Sequence, residues 1–382
     1  MKILMLTSGT ANSRMSHRVI ALGRELVRRG HSVTLIAPSA DRHSGWLRDT
    51  PADMDGVTMV YPFQLRTKSF LVNLMPYLFS ASFEVLRRNA DIVYLYKPTP
   101  ATIPALLAKW FKGTPVALDM DDLGSEVMEI EGQPAPIWKL VAACERLAAR
   151  QAKAIVAVSR LLEKEYTTKY PGKPVIRISN GVDESEFTPV IPEKGRTPRI
   201  IFFAILARTR ILAPLFEALP AVIAELGSSA VEVEILGDGP KRSELEAIVS
   251  RLGLNENVHF RGWTRFTEVG EYAASGDIAI CMMPDERTTA ACSNQKVFQY
   301  QALGLATVVS RVGDLPLYVE DGRAGVIVAA GDQAGLSKAL VSLLKDDTLR
   351  ATLAQRGREI ATSRYTWNNL AGKLEKLLET TK

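Results

Sequence analysis

Cysteine is scarce in this chain. Cys144, Cys281 and Cys292 are the only three among 382 residues, and no two stand at a metal-binding spacing. That excludes a disulfide scaffold and a zinc module, and it points to a reduced, cytosolic setting. Histidine is no better placed: His17, His31, His43 and His259 form no ligand cluster, so no metal site is expected. Charge of one sign is lacking too. The balance of 47 Lys+Arg against 42 Asp+Glu leaves a formal +5, with no run of five like charges. Nucleic acid is therefore not an expected partner, whereas anionic small molecules or an anionic membrane surface fit. No apolar stretch is as long as a membrane span, and the apolar run at 3–6 is too short for a signal-peptide core. No Ser–His–Asp or Cys–His pattern is present. The loop after the first apolar run is not G-x-G-x-x-G, which removes a dinucleotide fingerprint.

What is present is a long alternation of short apolar runs and amphipathic stretches. Hydrophobic residues make up 47% of the chain, enough for a core in each of two ordinary domains. Strand-like runs fall at 2–7, 32–37, 57–61, 91–96, 115–119, 154–158 and 174–179, with helical patterns at 14–29, 70–88, 101–111 and 136–152. Gly30-His31 reads as a helix C-cap after basic residues. The segment 188–198 holds three prolines and a glycine and reads as a linker. Strand-like runs resume at 199–204, 231–236, 257–260, 277–282, 306–310 and 324–328. Helical patterns cover 211–226, 240–253, 267–275, 295–303 and 333–345, with a helical tail at 347–381. Such repeats imply α/β architecture: two doubly wound, Rossmann-like domains, each a parallel sheet covered on both faces. The expected bounds are 1–188 and 199–365, with a terminal helix at 366–382 packing back towards the first domain. Ligands of such folds sit outside the carboxyl ends of the strands, and a cleft between the two domains is the expected site.

Five places carry chemistry. The loop Thr7-Ser8-Gly9-Thr10-Ala11-Asn12-Ser13-Arg14 leads into a helix, so its backbone N–H groups are candidates to meet an anion or sugar hydroxyls; an ordinary strand-to-helix turn is the plain alternative. Leu236-Gly237-Asp238-Gly239-Pro240 is a second such turn, where glycines allow close approach. Gly262-Trp263 closes a later strand, and the indole is either a platform for a flat base or part of the core. In Cys292-Ser293-Asn294-Gln295-Lys296-Val297-Phe298-Gln299, Ser293 reads as the helix N-cap and Lys296 falls in the first turn. A cation there opposes the helix dipole, a cost that a bound anion would offset. Arg208 and Arg210, between a strand and a helix, suit phosphate oxygens, although a bare basic loop tip would look the same.

These pieces, in this order, resemble the retaining GT-B glycosyltransferases of "group 1", family 4-like. The resemblance rests on Gly30-His31-Ser32-Val33, Ala157-Val158-Ser159 and Ile178-Ser179-Asn180-Gly181-Val182-Asp183. Further along it rests on Gly237-Asp238-Gly239-Pro240, Val258-His259-Phe260-Arg261-Gly262, Lys296 to Gly304, and Arg364-Tyr365-Thr366-Trp367. It implies transfer of a hexose-type sugar, with retention and without a metal or other cofactor, from a nucleoside diphosphate sugar. The acceptor would be a glycan, a lipid-linked molecule or a small molecule, as in cell-envelope or polysaccharide biosynthesis. It also implies that Arg208, Arg210, Gly237, Gly262, Trp263, Ser293, Asn294, Lys296, Val297 and Gln299 hold the donor, with Arg208, Arg210 and Lys296 neutralising the departing diphosphate. Gly9, Ser13, Arg14 and His17 would meet the acceptor, and Asp121 would orient it or the sugar.

The chain departs from that family's pattern at several positions. Ile205 stands where an Arg is usual, Arg210 where a Lys is usual, and Ala291 and Gln299 where two glutamates are usual. Asp121 takes the place of a His, and Asp119, Asp121 and Asp122 together form a possible cation group. These departures motivate an alternative, a non-catalytic scaffold or partner subunit; a nucleotide-sugar epimerase of related fold is a third reading. Finally, 68–79 is apolar nearly all round and is followed by Arg87-Arg88. It suits peripheral contact with the inner face of a membrane, or else a buried helix that Pro76 interrupts.

Overall fold

The computed structural model describes residues 1–10, 16–39, 54–63, 65, 70–190, 196–263 and 266–382. Ser13, Arg14, His43, Lys68 and the centre of the expected linker lie outside these residues. The chain forms two compact units. One comprises Met1–Asn180 with Ala291–Ser293 and Trp367–Lys382; the other comprises Gly181–Ala290 with Asn294–Thr366.

The N-terminal unit is built on β1 (Lys2–Leu6), β2 (Ser32–Ile36), β3 (Thr58–Val60), β4 (Ile92–Tyr96), β5 (Val116–Met120), β6 (Ala154–Ala157) and β7 (Val175–Arg177). All pair in parallel, in the order β3-β2-β1-β4-β5-β6-β7. Every residue of β4 and β5 is buried, as continuous apolar runs covered on both faces should be. One face carries α1 (His17–Arg28) and the terminal helix α15 (Trp367–Thr381), whose Leu22, Leu26, Leu370, Leu374 and Leu378 share one core. The other carries α2 (Phe70–Arg87), α3 (Thr102–Lys112), α4 (Gly124–Ile130), α5 (Ala135–Gln151) and α6 (Arg160–Lys169). Ala81, Val85, Ala105, Ala108, Ala148 and Ala149 seat that layer on the sheet.

Helix α1 stops where the sequence says it should. The Gly30 N–H donates to Val27 O and the His31 N–H to Leu26 O, with Gly30 at φ +87°, a Schellman cap. Helices α4 and α6 are additions to the expected list. Ser159 caps α6, its Oγ accepting from the Leu162 N–H at 3.3 Å, a signal that could have found it. The expectation that Pro76 breaks its segment is overturned, since α2 runs through it. Pro76 is the seventh residue of the helix, so it removes one hydrogen bond near the start, while Ser80, Ala81, Glu84 and Val85 anchor the remaining turns by burial.

The C-terminal unit holds β8 (Arg199–Phe203), β9 (Glu232–Leu236), β10 (Val258–Gly262), β11 (Ile278–Cys281), β12 (Ala306–Ser310) and β13 (Val326–Val328). They are parallel in the order β10-β9-β8-β11-β12-β13. Its helices are α7 (Thr209–Leu226), α8 (Arg242–Arg251), α9 (Phe266–Ala273), α10 (Arg287–Ala290), α11 (Gln295–Ala302), α12 (Leu315–Tyr318), α13 (Gln333–Lys345) and α14 (Asp347–Arg364). The strand order reverses between β1 and β4 in the first sheet and between β8 and β11 in the second. Loops at the carboxyl ends of those strands are where doubly wound folds bind ligands.

Candidate active-site residues in each unit

In the N-terminal unit a polar cluster stands at the carboxyl ends of β4 and β5. Arg18, near the start of α1, is buried against the equally buried Asp119, with Nε at 2.8 Å from Oδ2. It also donates to the carbonyls of Ser179 at 2.7 Å and Ile178 at 2.8 Å. Tyr94 donates its hydroxyl to Asp119. Asp121 accepts from the Tyr96 hydroxyl at 2.8 Å and from Asn180 Nδ2 at 3.3 Å. Asn180 is held in turn by Ser293: its N–H donates to Ser293 Oγ at 3.0 Å, and its Nδ2 to the Ser293 carbonyl at 2.9 Å. Lys97 lies 3.3 Å from Asp121 and 2.6 Å from Asp122, on a backbone at φ +54° that non-glycine residues rarely adopt.

The electrostatics of this cluster decide what Asp121 can do. Burial pushes its carboxyl up, but Lys97 and Arg18 outweigh burial and hold it below the ordinary carboxylate value. Asp121 is therefore an ionised hydrogen-bond acceptor at neutral pH, suited to orienting a hydroxyl and poorly suited to removing its proton. Burial pushes Asp119 up, against the pull of Arg18. The three aspartates do not form a cation site: Arg18 and Lys97 engage them, and no group of three or more metal-type ligands occurs among the described residues. Arg18, Tyr94, Tyr96 and Lys97 were missed by sequence reasoning, and Asn180 entered it only as part of the family's pattern.

Only the first part of the loop after β1 lies among the described residues. The buried Gly9 donates its N–H to Thr7 Oγ1 at 3.1 Å and accepts from Ser16 Oγ at 2.9 Å. Its N–H closes the turn and is not offered to a ligand. The His17 ring lies 5.8 Å from that of Trp367.

In the C-terminal unit the loops after β8 and β9 pack on each other. The Leu206 N–H donates to Asp238 O and the Lys241 N–H to Leu206 O. Gly237 sits at φ +133°, and a Cβ there would lie 1.9 Å from Ala204 O. Its N–H goes to Gly262 O at 2.7 Å. Gly237 is thus required for loop-on-loop packing, and its N–H is engaged within that packing. Trp263 is 64% exposed, which overturns the core alternative. Arg208 is the residue before α7, and the exposed Arg210 pairs with Glu286, from the loop after β11. That pair brings together the loops on either side of the switch point.

Asn294, not Ser293, stands at the N-cap of α11, because Ser293 is engaged with Asn180. Lys296 is the second residue of α11, its ammonium 4.9 Å from the centre of the Phe202 ring. The Val297 side chain is fully buried and its N–H donates to Asn294 O. Gln299 is only 4% exposed, and its amide makes no hydrogen bond among the described residues. Ala291 is wholly buried in apolar surroundings.

A family described as "Glycosyl transferase 4-like domain" matches residues 15–181, and one described as "Glycosyl transferases group 1" matches residues 197–346. Together they span most of the chain. It belongs to the group 1, family 4-like glycosyltransferases. A curated relative, the N-acetyl-alpha-D-glucosaminyl L-malate synthase of Bacillus anthracis, is 22% identical over 93% of this glycosyltransferase and 90% of its own length. Among solved structures, the sucrose-phosphate synthase of Thermosynechococcus elongatus superposes with a TM-score of 0.76 at 15% identity, covering 99% of this chain and 98% of that one. Anabaena HepE, solved in complex with UDP, superposes with a TM-score of 0.74 at 17% identity over the whole of both chains. The architecture of the glycosyltransferase is GT-B.

Proposed function

We propose that this glycosyltransferase takes a hexose-type sugar from a nucleoside diphosphate sugar held by its C-terminal unit. It passes the sugar, with retention of anomeric configuration, to an acceptor hydroxyl held by its N-terminal unit. Gln299 carries the reading. Its amide is not among the wholly buried unpaired polar atoms, and with no bond to the described residues it can accept from and donate to ribose hydroxyls. One turn before it stands Lys296, at a helix N-terminus suited to an anion. Arg208 and Arg210 bring two guanidinium groups to the start of α7, and the exposed Trp263 offers a flat face for a base. All of these lie at the carboxyl edge of one parallel sheet, on either side of its switch point.

The division of labour follows from the charges. Arg208, Arg210, Lys296 and the helix N-termini would stabilise the negative charge that grows on the departing diphosphate. They supply the neutralisation themselves, and the reading needs no metal ion. Asp121, kept ionised by Lys97 and Arg18, would accept a hydrogen bond from the acceptor hydroxyl and hold it in line. The UDP in HepE and the sugar named in the Bacillus anthracis relative support this assignment of donor class. Retention is the expectation the family carries.

Calorimetry and thermal shift against UDP, GDP, ADP and their sugar conjugates test the proposal. Binding of one nucleotide that Gln299→Leu weakens at least about tenfold is expected, since this is the scale of one lost hydrogen bond. A folded protein that binds none of them would overturn it.

A further inference from the structure

The apolar stretch noted in the sequence is neither buried nor apolar at random. Helix α2 buries Ser80, Ala81, Glu84 and Val85 on one side. On the other it exposes Val72, Met75, Phe79 and Phe83, with Phe79 as much as 78% open. Spacings of three and four place these four on one stripe. Helix α3, packed beside α2, exposes Ile103, Trp110 and Phe111, the last 74% open. Helix α5, packed beside α3, exposes Leu140 and Leu147. Single exposed apolar residues are ordinary, but nine on three neighbouring helices are not.

Charge on the same helices is one-sided. Residues 70–88, 102–112 and 135–151 carry seven cations: Arg87 and Arg88, Lys109 and Lys112, Lys139, Arg146 and Arg150. Against them stand two carboxylates, Glu84 and Glu145. The excess of five equals the formal net charge of the entire chain. Both carboxylates are also spoken for: Glu84 is buried against Arg87 and Arg88, and Glu145 accepts from Ser125. Cations stand beside the aromatic rings, Arg87 at 6.0 Å from Phe83 and Lys139 at 5.5 Å from Trp138.

We propose that the α2–α3–α5 face of the N-terminal unit seats on the surface of an anionic lipid bilayer. Large apolar and aromatic side chains among Lys and Arg, on helices that lie flat on a sheet, match the interfacial region of such a membrane. No helix among the described residues is long and apolar enough to cross one, so the contact is peripheral. A second copy of the chain is the poorer occupant, because a two-fold contact through this face would set cations against cations. The proposal is independent of the transfer chemistry, and it also offers a way to present an acceptor carried on a lipid.

Flotation of the full chain with vesicles tests it. Phosphatidylcholine vesicles and vesicles containing phosphatidylglycerol are compared at low and high salt. The expected result is binding that rises with phosphatidylglycerol and falls with salt. Phe79→Asp/Phe111→Asp should lower partitioning at least about tenfold, with circular dichroism and melting temperature unchanged because both side chains are exposed. Lys139→Glu/Arg146→Glu should lose the preference for the anionic lipid. Absence of flotation, equal binding to both compositions, or wild-type flotation of the Phe variant would overturn the proposal. So would a dimer in solution that the Phe substitutions abolish while no vesicle binds, since the face would then belong to a second copy.

Discussion

Replacing Arg18 by Met removes the cation from the most buried ion pair in the N-terminal unit. The guanidinium is 3% exposed and Asp119 is fully buried, with two hydrogen bonds between them at 2.8 and 3.3 Å. Without Arg18, Asp119 keeps the Tyr94 hydroxyl but faces no adjacent cation, and breaking such a pair costs about 3–5 kcal/mol. The carbonyls of Ile178 and Ser179 lose their donors as well. The pH dependence follows from the sign of the shift. Burial already raises the Asp119 pKa, and Arg18 is the first force opposing that rise, so Arg18→Met raises it further. A carboxyl whose folded value lies above its unfolded value costs stability at high pH and ceases to cost it once pH falls below the unfolded value. The deficit of the variant should therefore be largest at neutral pH and shrink in acid. Arg18→Met/Asp119→Asn should recover most of it, leaving about 1–2 kcal/mol for the two unpaired carbonyls. Urea unfolding followed by tryptophan fluorescence at several pH values measures all three. A loss below about 1 kcal/mol, a loss indifferent to pH, or a double variant no better than the single one would refute the reasoning.

Gln299→Met should leave the stability of the unliganded protein within about 1 kcal/mol of wild type, since no hydrogen bond to the described residues is lost; chemical denaturation reads this alongside the loss of nucleotide affinity. Arg210→Ala should weaken nucleotide binding by about 1.5–3 kcal/mol yet change stability by no more than about 1 kcal/mol, because Arg210 is exposed and its pair with Glu286 only half-buried. Unchanged calorimetric affinity in a folded variant would remove Arg210 from the donor site. Gly237→Ala should cost about 3 kcal/mol or more, given its positive φ and the approach of Ala204 O; a melting temperature near wild type would show that the two loops part easily. Asp121 holds its carboxyl below the ordinary value, so its contribution is complete at neutral pH and is lost as pH falls through that lowered value. Asp121→Asn should flatten the acid side of the stability profile while lowering transfer activity.

The sequence by itself determined the order of elements, because each rests on residues a few positions apart. All thirteen described strands of the two sheets coincide with strand-like runs, most clearly in a central strand such as β4, which is buried on both faces and apolar along its length. The Schellman cap at Gly30 and the helix carrying Lys296 and Gln299 were legible for the same reason. Tertiary structure decided the rest. Arg18 looks like one basic residue on an amphipathic helix, and only the fold sets it against Asp119, 101 positions away. Ser293 has the chemistry of an N-cap, but Asn180 engages it first, which passes the cap to Asn294. Gly237 reads as a phosphate-loop glycine until Ala204 O is found where its side chain would be. The stripe from Val72 to Phe83 has the composition of a core, and only the packing of α2, α3 and α5 shows which side of each helix the sheet leaves uncovered. Short-range backbone preferences can be read along a chain, whereas burial and ion pairing depend on what the rest of the chain brings to the same place.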